Sequence, residues 1–147
     1  MKRCLCKIVM LFLLVPLATV LIAADAFQMT TQGLLYKDLK PGSGETAAMG
    51  DVATIHFTGW LDAAGQKGKE IYNSHRYNEP LSFVVGTDRV MQGWNEGVIG
   101  MRAGGKRLLK VPPSLGYGSK GVEDIIAPDA RLIFIIDLID VEKRPAH

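Results

Sequence analysis

The chain has 147 residues, a length that fits a single domain. Its 17 Lys and Arg residues exceed its 15 Asp and Glu residues by two, but three of the basic residues and one acidic residue lie before residue 27. The remainder therefore has as many acidic as basic side chains and no basic stripe, which argues against nucleic acid as a partner.

The chain begins with the three parts of a secretory signal peptide. An apolar run covers residues 8–24 and leads into the A-x-A cleavage pattern Ala24-Asp25-Ala26. The run is preceded by a basic start that consists of Lys2, Arg3 and Lys7. We therefore interpret residues 1–26 as a removable signal peptide.

Residues 27–147 would then form an exported domain, either periplasmic or secreted. A retained membrane anchor is the alternative, because the apolar run approaches the roughly 17–25 residues that span a bilayer. Only in that case would the protein contact a membrane.

Both cysteines, Cys4 and Cys6, lie in the signal peptide, so the exported domain would have no disulfide and would depend on its core. Because the lead-in 27–32 is too short for a dimerisation arm, we expect a monomer.

The exported domain has the pattern of strands and turns. Apolar and polar side chains alternate most clearly over residues 51–61, where Ala53, Ile55 and Phe57 share one face. Further strands are predicted at residues 34–40, 70–72, 81–85, 106–111 and 131–141, with loops at 65–69 and 112–130. Within the last strand, residues 132–136 are apolar on both faces, as in a strand that is covered on both sides.

One segment has helical spacing instead. Thr87 or Asp88 can cap a helix that ends at Gly97, and its apolar side consists of Val90, Met91 and Trp94. The sequence thus predicts an α+β domain in which a mostly antiparallel sheet is wrapped around one short helix. We expect Trp94 to be buried against the concave face of that sheet.

The sequence contains no arrangement for conventional catalysis. The three histidines, His56, His75 and His147, show no metal-ligand spacing with cysteines or carboxylates. Nucleophile-elbow, phosphate-loop and dinucleotide motifs are absent, and the acidic residues are scattered. An enzyme of this sequence is therefore expected to use no nucleophile, metal or cofactor.

Five blocks of the sequence resemble the FK506-binding protein family. They are VATIHFTGWL from Val52, PLSFVVG from Pro80, VMQGWNEGVIGM from Val90, VPPSLGYGSKG from Val111 and IIAPDARLIFIIDLIDVE from Ile125. The blocks have the order and spacing of the family and cover nearly all of residues 33–142. The resemblance implies an antiparallel half-barrel of five or six strands around a short helix, and peptidyl-prolyl cis–trans isomerase activity without a cofactor.

The resemblance also implies an apolar pocket between the sheet and the helix. Four residues would act directly on the substrate, namely Tyr72, Asn73, Met91 through its backbone N–H, and Tyr117 through its hydroxyl. Trp94 would form the floor beneath the prolyl ring. The other lining residues would be Phe57, Leu81, Phe83, Val90, Ile125, Ile126 and Phe134. Phe83 and Phe134 would equally be core residues in any β-rich domain. Proline-containing polypeptides and macrolides of the FK506 and rapamycin type are the implied ligands.

Three positions of this pocket depart from the commonest family pattern. Phe57 replaces a Tyr, Leu81 replaces an aromatic residue, and Asn73 replaces an Asp, so that a wall hydroxyl and a negative charge are lost. Because of these changes, a domain that binds proline segments but turns over weakly is an alternative to an isomerase. A scaffold domain held by a retained anchor is a second alternative.

Overall fold

A computed structural model describes residues 26–145. Its strands are β1 (Gln28–Met29), β2 (Leu35–Lys40), β3 (Val52–Ala63), β4 (Gln66–Asn73), β5 (Leu81–Val84), β6 (Lys106–Val111) and β7 (Leu132–Glu142). Its helices are the single turn α1 (Ser74–Tyr77) and α2 (Gln92–Val98), and a 3₁₀ turn covers Pro113–Leu115. The predicted signal peptide before Ala26, and His147, lie outside the described residues.

All the strands join one antiparallel sheet. Its order is β1-β2-β6-β7-β3-β4. The strand β5 pairs with the first part of β3, and β4 pairs with the later part of the same edge of β3. The predicted α+β class, with an antiparallel sheet and a short helix, is confirmed. Across residues 26–145 no helix has the length and hydropathy needed to span a membrane.

The central strand β7 has the two-sided burial that its sequence predicts. It pairs with β3 on one edge and with β6 on the other. Phe134 on the inner face and Ile133 on the outer face are 2% and 1% exposed. An apolar residue at each of the positions 132–136 is therefore what this part of the strand requires.

Residues 66–69 belong to a strand, so the prediction of a loop over 65–69 holds only for Gly65 and is wrong for the rest. Ala64 and Gly65 form a two-residue turn in which both have positive φ, 52° and 84°. Such a turn matches the twist of a tight hairpin, and β4 therefore begins directly at Gln66. The predicted strand 70–72 is the last part of a longer one.

The helix α2 begins later than predicted. Neither Thr87 nor Asp88 caps it; instead the helix follows Met91, whose side chain makes no capping hydrogen bond. The reason is the buried side chain of Asn95, which accepts the Gly86 N–H at 2.8 Å and donates to the Thr87 carbonyl at 2.6 Å. These bonds hold the segment before α2 as a turn, and the helix has only seven residues.

Arg107 on β6 fixes the other end of α2. Its guanidinium donates to the carbonyls of Gly97 and Ile99 at 3.0 and 3.2 Å, where the helix ends, and pairs with Asp38 at 2.6 Å. A cation at this end of a helix is favourable because the last carbonyls carry partial negative charge. The Tyr36 ring lies 4.6 Å below the guanidinium. Side chains from the sheet and from α2 itself thus hold both ends of the short helix.

A glycine on β3 makes room for an aromatic side chain of the core. Gly59 pairs with Phe134 on β7, and a Cβ atom on Gly59 would lie 2.5 Å from Cε1 and 2.9 Å from Cδ1 of that ring. Real Cβ atoms essentially never approach so closely, so the ring needs glycine at this position. The ring in turn packs edge-on against Trp94, with centroids 5.3 Å apart.

We predict that Gly59→Ala destabilises the domain by about 1–3 kcal/mol, because the added methyl group forces the Phe134 ring out of its place in a packed core. Urea unfolding measures the loss. Thr58→Ala is the matched control, because it alters the neighbouring residue, whose side chain points to the other face of the strand. A Gly59→Ala protein as stable as the wild type would contradict the close fit.

Candidate active site

An apolar pocket opens between the concave face of the sheet and helix α2. Its volume is about 250 Å³, slightly below the range of about 300–1,000 Å³ that is usual for ligand sites. β3, β4 and β7, α2 and the loop after β6 all contribute to the wall. The lining residues are Phe57, Ile71, Tyr72, Trp94, Tyr117, Val122, Ile125, Ile126 and Phe134.

Four aromatic rings form a continuous surface in this pocket. Trp94, 6% exposed, packs against Phe57 at 4.4 Å and against Phe134 at 5.3 Å between ring centroids. Phe57 stacks in turn on Tyr72 at 5.2 Å. The Trp94 indole nitrogen is buried and has no hydrogen-bond partner within the described part of the chain. Apart from the Tyr72 hydroxyl, the aromatic lining therefore offers ring surface rather than accessible polar groups.

The loop after β6 carries the polar group at the rim, the Tyr117 hydroxyl. Gly118, with φ of 59°, donates to the Pro113 carbonyl and accepts from the Asp129 amide, both at 2.9 Å. These bonds close the loop around Tyr117, which remains 43% exposed. Partial burial raises the pKa of the Tyr117 phenol above its ordinary value. The hydroxyl is thus protonated at neutral pH and can donate a hydrogen bond.

The same loop also supplies an apolar wall. Val122 and Ile126 exchange two backbone hydrogen bonds of 2.8 Å, and together with the neighbouring Ile125 they line the pocket. Ile125 is 55% exposed, whereas Ile126 is 6% exposed. The loop thus turns one isoleucine toward the core and leaves the other at the pocket mouth.

Seven of the residues predicted from the sequence line this pocket. They are Phe57, Tyr72, Trp94, Tyr117, Ile125, Ile126 and Phe134. Three other predicted residues, Leu81, Phe83 and Val90, line a separate groove of about 540 Å³ together with Ser82, Val84, Thr87 and Arg89. This cavity, the β5 groove, borders the edge strand β5. Leu81 pairs with Ile55, which lies two residues before Phe57 on the same face of β3.

Asn73 is used in a different way from the one predicted. Its side-chain oxygen accepts the His75 N–H at 3.0 Å and caps the helical turn α1. Asn73 does not line the pocket, and its acceptor is already engaged. Its position at the end of β4, directly after Tyr72, makes it a residue that supports the pocket wall.

Met91 lies just before α2 and is half-buried. Its carbonyl accepts the amides of Trp94 and Asn95 at 3.0 and 3.4 Å, so its backbone is fixed at the start of the helix. The residue lies between Val90, in the β5 groove, and Trp94, in the pocket.

Sequence reasoning missed two lining residues, Ile71 and Val122. Ile71 lies in a predicted strand next to Tyr72, but the irregular pairing of β3 with β4 lets both side chains reach the pocket. Val122 lies in a loop where no periodicity was available. The apolar cluster Val122, Ile125 and Ile126 in an otherwise polar loop was the one signal that could have found it.

Both histidines within residues 26–145, His56 and His75, lie outside the pocket. The His56 ring nitrogen is 2.8 Å from the buried Ser74 hydroxyl, and His75 pairs with Asp137 at 2.9 Å. None of these four residues lines the cavity. Among residues 26–145, no three His, Cys, Asp or Glu side chains are grouped as a metal site. The pocket can enclose an apolar ring, and the Tyr117 hydroxyl at its rim can donate a hydrogen bond to a polar group next to that ring.

Comparisons with known proteins agree with this geometry. Residues 43–139 match the family model of the FKBP-type peptidyl-prolyl cis-trans isomerases. The FK506-binding protein of Neisseria meningitidis serogroup B is 40% identical over 109 residues, which are 74% of this chain and 96% of that protein. FK506-binding protein 2 of Kluyveromyces lactis is 42% identical over 99 residues, which are 66% of this chain and 67% of that protein.

The solved structures point the same way. The crystal structure of FkpA from Escherichia coli superposes with a TM-score of 0.71 and 36% identity, covering 82% of this chain and 54% of that one. The shared fold, the matched residues and the identity to relatives of similar length lead to one conclusion. The chain belongs to the FKBP-type peptidyl-prolyl cis–trans isomerase family.

Proposed function

We propose that the pocket around Trp94 accelerates rotation about X–Pro bonds in exported polypeptides by removing the prolyl segment from water. The observation that supports this most strongly is the aromatic surface of Phe57, Trp94 and Phe134 at a cavity that carries a protonated phenol at its rim. This combination can hold a proline ring and anchor the neighbouring backbone.

The reaction needs no covalent chemistry. Resonance in the peptide C–N bond gives a rotation barrier of about 18–20 kcal/mol. The two isomers of an X–Pro bond differ by only about 0.5–1 kcal/mol, so both are populated, and they interconvert in tens to hundreds of seconds. Lowering the barrier by about 1.4 kcal/mol makes the rotation ten times faster.

An apolar pocket lowers this barrier because the twisted bond is less polar than the planar one. Twisting removes the resonance, and the carbonyl oxygen then carries less negative charge. Transfer out of water therefore costs the planar amide more than the twisted amide. The difference is a preference for the transition state over the ground state.

The lining residues have distinct roles in this proposal. Trp94 and Phe134 contact the prolyl ring, and Ile126 closes the pocket to water. The Tyr117 hydroxyl donates to a backbone carbonyl on one side of the rotating bond, and the Met91 amide donates on the other. Tyr72 lies near the twisting carbonyl, and Asn73 holds the turn that supports it. No proton is transferred in any of these steps.

The β5 groove would hold the residues that flank the proline. Leu81, Phe83 and Val90 give it apolar sides, and its volume of about 540 Å³ suits a continuing peptide chain. A macrolide of the FK506 or rapamycin type would occupy the pocket and extend into this groove. The name of the Neisseria relative, FK506-binding protein, supports that ligand class.

A module that binds proline segments but turns over weakly is the second candidate. It is favoured by the capping role of Asn73, whose acceptor is occupied, and by Phe57, which has no hydroxyl. Comparison of the isomerisation rate with the affinity for the same X–Pro peptide separates the two functions. Tight binding without acceleration would identify the binding module.

We predict that Tyr117→Phe lowers kcat/KM on a short X–Pro peptide about three- to tenfold, as expected for one lost hydrogen bond. A protease-free isomerisation assay measures the rate. The melting temperature should change little, because Tyr117 is 43% exposed. Tyr36→Phe is the control, because the Tyr36 hydroxyl donates to Gln28 at the sheet edge, outside the pocket. An unchanged rate in Tyr117→Phe would remove this hydroxyl from the site.

Export is proposed from the signal peptide in the sequence. We predict that the exported protein begins at Phe27 and is a monomer whose behaviour does not depend on reductant, since Cys4 and Cys6 leave with the signal peptide. Intact-mass measurement of protein recovered from outside the cytoplasm checks the cleavage, and light scattering checks the monomer. A mass that includes residues 1–26 would instead support the retained anchor.

A further inference from the structure

The aromatic surface of the pocket continues beyond its mouth. Tyr72, 39% exposed, stacks on Phe57 inside and meets the ring of Tyr77 at 5.8 Å outside. Tyr77 is 59% exposed and does not line the pocket. The rings of Tyr72 and Tyr77, with the nearby Glu79, form what we call the tyrosine ledge. The proposed rotation of the X–Pro bond uses neither Tyr77 nor Glu79.

The tyrosine ledge has an unbalanced negative charge. The two basic residues of α1 are each paired with a carboxylate from the sheet, Arg76 with Glu70 and His75 with Asp137, both at 2.9 Å. Glu79 has no basic partner within residues 26–145. Its carboxylate lies 3.4 Å from the Tyr72 hydroxyl, a long contact for a hydrogen bond. That carboxylate can accept a further, shorter hydrogen bond from a donor outside the protein.

The field of this carboxylate reaches the tyrosine ring. Desolvation is the first cause that raises the pKa of Tyr72 above its ordinary value, and the charge of Glu79 is the second. The electrostatic environment of the ledge therefore disfavours added negative charge and favours a cation.

The ledge is fixed to the pocket rather than free to move away. Ser74, fully buried in α1, accepts the backbone N–H of Phe57 through its hydroxyl at 2.8 Å. The Glu79 amide donates to the Ser74 carbonyl at 3.1 Å, and Asn78 closes the turn with φ of 51°. The spacing between the ledge and the pocket wall is thus set by hydrogen bonds to β3.

We propose that the tyrosine ledge is a subsite for a Lys or Arg side chain of the polypeptide whose proline occupies the pocket. The inference rests on the proposed isomerase function and adds a substrate preference to it. The aliphatic stem of the basic residue lies on the rings of Tyr72 and Tyr77, and its charged end pairs with Glu79. Cations bind to aromatic faces and to carboxylates, and the ledge presents both side by side.

The negative charge of the ledge favours a basic side chain over an acidic or an aromatic one. An acidic side chain would meet the Glu79 carboxylate and be repelled. An aromatic side chain could stack on the tyrosines, but it would gain nothing from Glu79. The role of Glu79 is therefore the feature that an experiment must address.

The test is a set of X–Pro peptides in which one position, from three residues before to three after the proline, is Lys, norleucine or Glu. Norleucine keeps the length of Lys without its charge. Values of kcat/KM are compared for the wild type, Glu79→Gln and Tyr77→Leu. Glu123→Gln is the matched control, because it removes the same charge from an exposed position outside the ledge, next to the pocket residue Val122.

At one position we expect Lys to exceed norleucine about three- to tenfold in kcat/KM, and Glu to be the poorest. The preference should weaken as salt is added, and Glu79→Gln and Tyr77→Leu should each reduce it. Glu123→Gln should process all the peptides at the wild-type rate and should keep the preference for Lys.

Two other outcomes would overturn the subsite alone. One is acceleration of all peptides with no preference for Lys at any position. The other is a preference for Lys that Glu79→Gln leaves unchanged, because the ledge would then bind side chains through its tyrosine rings alone. If no peptide is accelerated by the wild type, the proposed isomerase function itself fails. Because Glu79 is exposed, its variant decides the matter even if Tyr77→Leu does not fold.

Discussion

The rest of this structure depends on one constraint, the burial of Trp94 against the sheet. Trp94 is a residue of the seven-residue helix α2. A helix of that length is not stable alone in water, so α2 exists only where the fold holds it. Asn95 fastens the turn before the helix, and Arg107 binds the carbonyls at its end. Gly59 completes the arrangement, since its missing side chain lets Phe134 reach the indole. The pocket is the space that these contacts leave open beside Trp94.

This construction explains how a pocket lined by apolar and aromatic side chains can belong to an enzyme family. The pocket walls come from three strands, a helix and a loop, and each is tied to the sheet by backbone or buried side-chain hydrogen bonds. Such walls keep their shape, so a prolyl segment loses its water while the cavity does not collapse onto it. The cost of that lost hydration differs between the planar and the twisted amide, and this difference is the catalytic effect we propose.

Much of the fold could be predicted from the sequence because it depends on local patterns. Alternation identified β3, and the apolar run 132–136 identified a strand covered on both sides. The differences arose where a side chain binds the backbone of other residues. Asn95 delays the start of α2 through its hydrogen bonds to Gly86 and Thr87, and Asn73 caps α1 by accepting the His75 N–H. Neither contact leaves a periodic signal in the sequence. The family resemblance supplied Phe57, Tyr72, Trp94 and Tyr117, but it could not separate the pocket from the β5 groove or find Val122.

Catalysis by desolvation, with no proton transferred, is most directly tested by comparing the kcat/KM of isomerisation in H₂O and D₂O across a range of pH. Without an acid or base in the reaction, the rate should be equal in the two solvents and flat between about pH 6 and pH 9, where the Tyr117 phenol remains protonated. A rate that is clearly lower in D₂O, together with a bell-shaped pH profile, would mean that a side chain transfers a proton during bond rotation. That result would contradict catalysis by desolvation in the Trp94 pocket.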